Sequence, residues 1–297
     1  MTNTTLDAAQ LAHLQTWQGK SETLSDSFTA MPVAALSATL DRDDPAPEAG
    51  TTVPPLWHWL YFLPHARASE IGPDGHPKRG GFLPPVPLPR RMWAGGRLSW
   101  EAANPLCVGQ QVQRRSTIQS VKHKAGRSGE LLFVLVEHQF HNAQGLALTE
   151  EHDIVYRSAA QPGDPAPTPQ KPPLDGQTAW SRTVVPNDVL LFRYSALTFN
   201  GHRIHYDRKY VTEVEGYPGL IVHGPLIATL LTDLVRRHES RAVIERFSFR
   251  AVRPTFDGHP FFVSGEPSAD GRHVKLWAHD QEGWLTMQGE VDLAFVL

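Results

Sequence analysis

The sequence predicts an α+β fold of two similar halves, each a long antiparallel sheet around an apolar helix. Three observations support this prediction. Long alternating or β-branched runs, separated by glycine-containing turns, occur in both halves. An apolar segment precedes each set of runs, and a proline-rich segment separates the two sets. No residue-level repeat is evident, so the order of elements alone indicates the duplication.

The expected strands fall into one group of three and one group of four. They are predicted over residues 110–124, 130–142, 146–158, 243–252, 260–266, 273–279 and 285–296.

The expected helices precede these groups, at residues 54–63 and 225–237. In the second helix, leucines recur at helical spacing, and the segment is apolar enough to be buried. These leucines are Leu226, Leu230, Leu231 and Leu234.

The proline-rich segment divides the chain into three parts. Residues 1–158 form the first half, 159–179 the linker and 180–297 the second half. The linker holds six prolines and almost no large apolar residue, so we expect it to run extended over the surface.

Composition narrows the classes of function. The 28 Lys and Arg against 31 Asp and Glu give a net charge of −3, which argues against a nucleic-acid partner. Cys107 is the single cysteine, so neither an intrachain disulfide nor a cysteine-rich metal site can form. No leader-like N-terminus or membrane-length apolar run is present. We therefore expect a cytoplasmic protein without a membrane partner.

The densest polar cluster is YSALTFNGHRIHYD, residues 194–207. A helix is expected to begin near Asn187 and Asp188, which suit an N-cap, and to end at Gly201. His202 and His205 then lie on a loop. They could bind a metal with the nearby aspartate, but no third ligand occurs at a recognised spacing, so no metal is expected. The alternative is a pair of ordinary polar residues on a surface turn.

A second motif, GYPGLIVHGPL, leads into the apolar helix. Pro225 suits a first helical position, which leaves the Gly224 N–H free at the positive end of the helix. This N–H could stabilise the enolate oxygen of a thioester. Alternatively, Gly224 simply begins a buried helix.

Together these motifs resemble the MaoC-like enoyl-CoA hydratases and dehydratases of the hotdog fold. His205 precedes Gly224 by 19 residues, a spacing similar to that of the family. Within it, these segments and RRMWAGG (90–96) resemble the double-hotdog branch that includes mesaconyl-C4-CoA and itaconyl-CoA hydratases and hydroxyacyl-thioester dehydratase type 2. The resemblance implies a hotdog fold in each half, a site carried by the second half and roofed by the first, no cofactor beyond the substrate's CoA, and a homodimer as a candidate assembly.

The resemblance also implies roles for particular residues. His205 occupies the place of the catalytic histidine, Gly224 that of the oxyanion donor, and Thr232 a hydroxyl position that in some members holds the water or the aspartate. Asn200 stands where the family has its catalytic aspartate, and His202 where it has asparagine.

Because an amide cannot accept a proton at neutral pH, His205 is the expected sole base. Asn200 would orient the water through its carbonyl oxygen, and His202 or Asp207 would supply a second group. Loss of activity is the alternative consequence of Asn200.

The implied reaction is reversible hydration of a 2-enoyl-CoA, with a short dicarboxylic acyl group such as mesaconyl or itaconyl. Such a substrate needs a cation, for which Arg90, Arg91 and Arg203 are candidates; solvated charge or contact with CoA phosphates would account for each equally well. His223 is assigned to substrate binding with them. The competing functions are a hotdog acyl-CoA thioesterase and a non-catalytic acyl-CoA-binding protein.

Overall fold

The computed structural model describes residues 6–126, 129–158, 168–172 and 178–295, whose strands form one ten-stranded antiparallel sheet. Its order is β1-β3-β4-β5-β2-β7-β10-β9-β8-β6. The strands are β1 Ser21–Ser27, β2 Arg90–Trp100, β3 Gln111–Gly126, β4 Gly129–Asn142, β5 Gly145–Arg157, β6 Trp180–Val184, β7 Ala242–Ala251, β8 Phe261–Pro267, β9 His273–His279 and β10 Leu285–Phe295.

All seven predicted strands are present, with ends that differ by no more than two residues from the prediction. Three strands were missed. β1 is largely polar and exposed, and β6 has five residues; both are edge strands, which lack the apolar alternation of half-buried strands. β2 contains Gly95 and Gly96, which weaken a strand pattern.

The two glycines of β2 have a structural reason, because β2 joins the halves. Strands before the linker lie on one side of the sheet and strands after it on the other, and β2 pairs with β7 at the seam. A Cβ added at Gly95 would lie 2.3 Å from the Phe249 carbonyl oxygen. Glycine therefore permits the close approach of the two strands.

The helices are α1 Ala8–Gln15, α2 Ala30–Thr39, α3 Asp188–Leu197, α4 Arg208–Glu213 and α5 Gly224–His238. The predicted apolar helix of the second half is confirmed as α5. All ten residues from Leu226 to Val235 are buried, and the helix packs mainly against β8. No helix in the described part of the chain is both long and apolar enough to cross a membrane.

The predicted helix over 54–63 is wrong. Only Trp57–Leu60 forms a single 3₁₀ turn, and the left-handed residues Leu56 (φ 70°) and Phe62 (φ 54°) bracket it. His58 Nε2 lies 2.9 Å from Glu150 Oε2, and Trp59 Nε1–H donates to the same carboxylate at 3.1 Å. Burial raises the pKa of Glu150, but the hydrogen bond to His58 and the charges of His58, His138 and His152 together outweigh burial and lower the pKa to about 2. These side chains bind a strand carboxylate instead of packing as a helix face.

An ion cluster ties α5 to both halves. Asp233 on α5 has no exposed side-chain surface and accepts hydrogen bonds from three arginines. Arg42 follows α2, Arg182 lies on β6 and Arg237 is one helical turn further along α5, at N–O distances of 2.6, 2.8 and 2.7 Å.

Most of the predicted linker lies outside the described residues. Of its described part, Gln170 accepts a hydrogen bond from the Leu285 N–H at 2.8 Å.

Candidate active site

The polar loop follows α3, whose predicted N-cap is confirmed because the Asn187 side chain accepts the Leu190 N–H at 2.9 Å. The predicted end at Gly201 is wrong. The helix ends at Leu197, and Phe199 is already in the left-handed region at φ 48°. The chain therefore leaves the helix before Asn200, which belongs entirely to the loop.

His205 is buried, with 7% of its surface exposed, at the end of a one-turn 3₁₀ helix. Its Nδ1 lies 2.7 Å from the Ile221 carbonyl oxygen. Because a carbonyl can only accept, Nδ1 carries the hydrogen and Nε2 holds the lone pair of the neutral ring. Burial lowers the pKa of His205 to about 3, against a smaller raising effect of the Ile221 hydrogen bond. The site thus holds a neutral imidazole base.

The two sequence motifs meet at this histidine. Besides the bond from the His205 ring to the Ile221 carbonyl, the Ile221 N–H donates to the Ile204 carbonyl oxygen at 3.0 Å. Ile221 lies three residues before Gly224. The histidine loop and the start of α5 are therefore held together by two hydrogen bonds.

Gly224 is the first residue of α5, and Pro225 follows it. The N–H of a first helical residue has no acceptor within its own helix. A Cβ added at Gly224 would meet no atom within 4 Å, so the space beside this N–H is open. This geometry fits an oxyanion donor at the positive end of the helix.

His223, which is predicted to bind substrate, has no exposed surface. Its ring stacks on His205 with centroids 3.7 Å apart and planes at 19°, and its Nε2 lies 2.8 Å from Ser195 Oγ. Burial lowers the pKa of His223 well below its usual value. His223 is thus covered by the His205 ring on one side and held by Ser195.

Asn200 and His202 are joined by a local turn. Asn200 Oδ1 accepts the His202 N–H at 3.0 Å, so the amide oxygen predicted to orient water is engaged by the loop itself. The ring of His202 lies edge-on to that of His205, with centroids 5.5 Å apart. Burial lowers the pKa of His202 to about 3, with a further contribution from His76.

The first half contributes His76, which the sequence analysis missed. Its ring lies 4.1 Å from that of His202, centroid to centroid. Burial, with the charge of Arg91, lowers the pKa of His76 to about 3. His76 precedes His202 by 126 residues in an irregular segment, so no spacing or periodicity pointed to it.

Arg203, which is predicted to bind a substrate carboxylate, contacts its own loop and the segment at Pro73. Its Nε and Nη2 donate to Asp207 at 3.0 and 2.7 Å, and its Nη1 donates to the Pro73 carbonyl oxygen at 3.0 Å. Asp207 also caps α4 by accepting the Tyr210 N–H at 3.0 Å. The Asp207 carboxylate, predicted as one candidate for a second catalytic group, therefore holds the loop.

Arg90 and Arg91 lie at the start of β2, and no carboxylate among the described residues is within 4 Å of either guanidinium. Arg90 Nη1 lies 3.4 Å from the Tyr217 hydroxyl. Arg91 pairs in register with Tyr156, a buried residue. Since opposed residues of paired strands point to the same face, Arg91 lies on the inner face of the sheet.

Thr232, which is predicted to hold the water or the aspartate, lies within α5. Its hydroxyl donates to the Thr229 carbonyl oxygen at 3.0 Å, and it is buried in the helix. Eight residues of helix separate it from Gly224, a rise of about 12 Å. Within the described part of the chain, no three His, Cys, Asp or Glu residues are grouped to hold a metal ion.

Comparison with known proteins matches this arrangement to one family. The sequence profile of hydroxyacyl-thioester dehydratase type 2 matches residues 56–257. Mesaconyl-C(4)-CoA hydratase of Chloroflexus aurantiacus is 48% identical over 278 residues, covering 93% of this chain and 96% of the relative.

Solved structures agree on the fold. A MaoC-like dehydratase of Phytophthora capsici aligns with a TM-score of 0.68 at 14% identity, covering 97% of this chain and 99% of that one. A Mycobacterium tuberculosis protein described as a double hotdog aligns with a TM-score of 0.51 at 13% identity, covering 93% and 96%. The predicted double-hotdog fold is confirmed, and the chain belongs to the hydroxyacyl-thioester dehydratase type 2 family.

Proposed function

We propose that the protein catalyses reversible addition of water to a 2-enoyl-CoA with a short dicarboxylic acyl group of the mesaconyl type. The observation that carries this proposal is the pairing of a neutral histidine base with an open helix-start N–H, joined through Ile221. The similarity to mesaconyl-C(4)-CoA hydratase supports the acyl group.

His205 Nε2 accepts a proton from water, and the resulting hydroxide attacks the β-carbon. Electrons of the double bond move toward the thioester, whose oxygen becomes an enolate oxygen. The His205 imidazolium then returns the proton to the α-carbon, so that one water is added overall. Dehydration follows the same steps in reverse.

The Gly224 N–H donates a hydrogen bond to the enolate oxygen. This hydrogen bond speeds the reaction because a fixed donor at a helix start stabilises the negatively charged enolate more than the neutral thioester. The open space at the Gly224 Cα position leaves room for the thioester.

The reaction needs no cofactor in this proposal, since the CoA belongs to the substrate. We further propose that the protein is cytoplasmic and homodimeric. Neither nucleic acid nor membrane is a proposed partner.

The competing function, a thioesterase, is not favoured by the state of the loop carboxylate, Asp207. Asp207 is engaged by Arg203 and the Tyr210 N–H, whereas hydrolysis in this class requires a carboxylate at the reacting carbon.

The test is incubation of purified protein with mesaconyl-C4-CoA and identification of products by mass. Gain of one water with the thioester intact supports the proposal, and release of CoA without water addition contradicts it. His273→Ala, which changes a histidine of β9 that is paired with Asp292, is the control for His205→Ala.

A further inference from the structure

We propose that Arg91, His76 and His202 form a carboxylate cradle, which binds the carboxylate that a mesaconyl-type substrate carries on its β-carbon. The inference rests on the proposed function and deepens it by naming the residues that select a carboxylated acyl group. Two of the three residues come from the first half of the chain.

The structure of the substrate determines where its carboxylate must be bound. In mesaconyl-C4-CoA the carboxylate is bonded directly to the β-carbon, which is the atom that water attacks. A group that binds this carboxylate must therefore be a direct neighbour of His205. His202 satisfies this requirement with ring centroids 5.5 Å apart, and His76 lies next to His202 at 4.1 Å.

Binding of a carboxylate also requires a positive charge, which Arg91 supplies. Of the three arginines predicted to bind a carboxylate, Arg203 is already paired with Asp207. Arg91 has no described carboxylate within 4 Å and is half-buried on the inner face of the sheet. After burial, the positive charge of Arg91 is among the causes that lower the pKa of both His76 and His202. A half-buried cation that has no counterion among the described residues is well suited to an anionic ligand.

The two histidines supply hydrogen-bond donors for the carboxylate. Each neutral imidazole of His76 and His202 carries one N–H donor. In a partly dry site a hydrogen bond to a charged acceptor is stronger than one to a neutral acceptor, by about a factor of two. Two imidazole donors beside a guanidinium can therefore hold both carboxylate oxygens while leaving His205 free to act on water.

The cradle must also be rigid, because its residues come from both halves of the chain and have to be held in place. The Arg203 N–H donates to the Asp74 carbonyl oxygen at 2.9 Å. A Cβ added at Gly75 would lie 1.8 Å from the Gly201 carbonyl oxygen. The segment that carries His76 is thus packed backbone to backbone against the loop that carries His202, so little ordering is left for binding.

Equilibrium binding of two unreactive ligands tests the cradle independently of turnover. The ligands are the C4 thioester of methylsuccinate with CoA and isovaleryl-CoA, which differ by a carboxylate in place of a methyl group. Titration calorimetry should show that the wild-type protein prefers the carboxylated ligand by about 10- to 100-fold. Arg91→Gln and His76→Phe should each reduce that preference about tenfold or more.

Arg97→Gln is the matched control, because Arg97 is on the same strand but exposed and paired with Glu151 and Asp153. It should keep the preference. Equal affinity of the wild-type protein for both ligands would overturn the proposal even if a variant fails to fold. Equal loss of both ligands in Arg91→Gln and His76→Phe, or an unchanged preference in both, would also overturn it. Absence of hydration with the preference intact would instead contradict the proposed function alone.

Discussion

The imidazole rings of His205 and His223 stack with centroids 3.7 Å apart and planes inclined by 19°. Ser195 fixes the inner ring through His223 Nε2 at 2.8 Å, and Ile221 fixes the outer one. When His205 accepts a proton, the neutral ring behind it offers an aromatic face to the new cation. We therefore expect His223 to position the His205 ring.

Ser195→Ala should impair catalysis without weakening substrate binding. The change removes the one side-chain hydrogen bond that His223 makes among the described residues, so the stacked ring loses its fixed orientation. We expect kcat to fall about 10- to 100-fold while KM stays nearly constant. Steady-state kinetics against Ser181→Ala, an exposed residue of β6, measures this. A rise in KM with an unchanged kcat would contradict the positioning role.

The pH dependence of kcat/KM should lack the acid limb of an ordinary histidine. The pKa of His205 is lowered to about 3, so the base stays neutral as the pH falls from 8 to 5. A histidine with a pKa of about 6.5 would be protonated at pH 5 and lose activity about 30-fold. A limb centred near pH 6.5 would contradict the buried, neutral base.

Burial of His205 and His223 also makes the stability of the protein sensitive to acid, so the kinetics at each pH need a control for unfolding. The folded-state pKa values of His205 and His223 lie below the unfolded value of about 6.5. The unfolded chain therefore binds more protons in this window, and the free energy of unfolding falls as the pH drops below about 6.5. Circular dichroism at each pH confirms that the kinetics come from folded protein.

Gly224→Ala should separate stability from activity. The added methyl meets no atom within 4 Å and φ is not in the left-handed region, so the melting temperature should stay within a few degrees of wild type. The methyl would occupy the space that the thioester needs beside the N–H. We expect kcat/KM to fall about 100-fold. Full activity in a folded variant would show that Gly224 only begins the helix.

Asp233→Asn should destabilise the fold without involving the site chemistry. The neutral amide would leave three arginines around a fully buried position. Breaking such a buried pair costs about 3–5 kcal/mol. Urea unfolding compared with that of Asp270→Asn, an exposed residue, provides the measurement. A change below about 1 kcal/mol would mean that water already satisfies these charges.

Local pattern was sufficient for seven of the ten described strands and for α5, because their side chains alternate or repeat with the period of the element that they form. It failed at 54–63, where binding of His58 and Trp59 to Glu150 replaced helix packing. Side-chain partners far along the chain cannot be read from spacing.

The same limit applies to the site. The sequence motifs located His205 and Gly224, but not which residues surround them. His76 was missed because a contact between the halves brings it to His202. The contacts of Arg203 and Thr232 with Asp207 and with the Thr229 carbonyl oxygen could not be predicted from spacing either.

Hydration of mesaconyl-C4-CoA by the wild-type protein and His205→Ala is the most direct test of the account. We predict that the wild-type protein adds one water to the acyl group with the thioester intact. His205→Ala, folded by circular dichroism, should lose about 100- to 10,000-fold in kcat. Full activity in that variant, or CoA release in place of water addition by the wild-type protein, would contradict it.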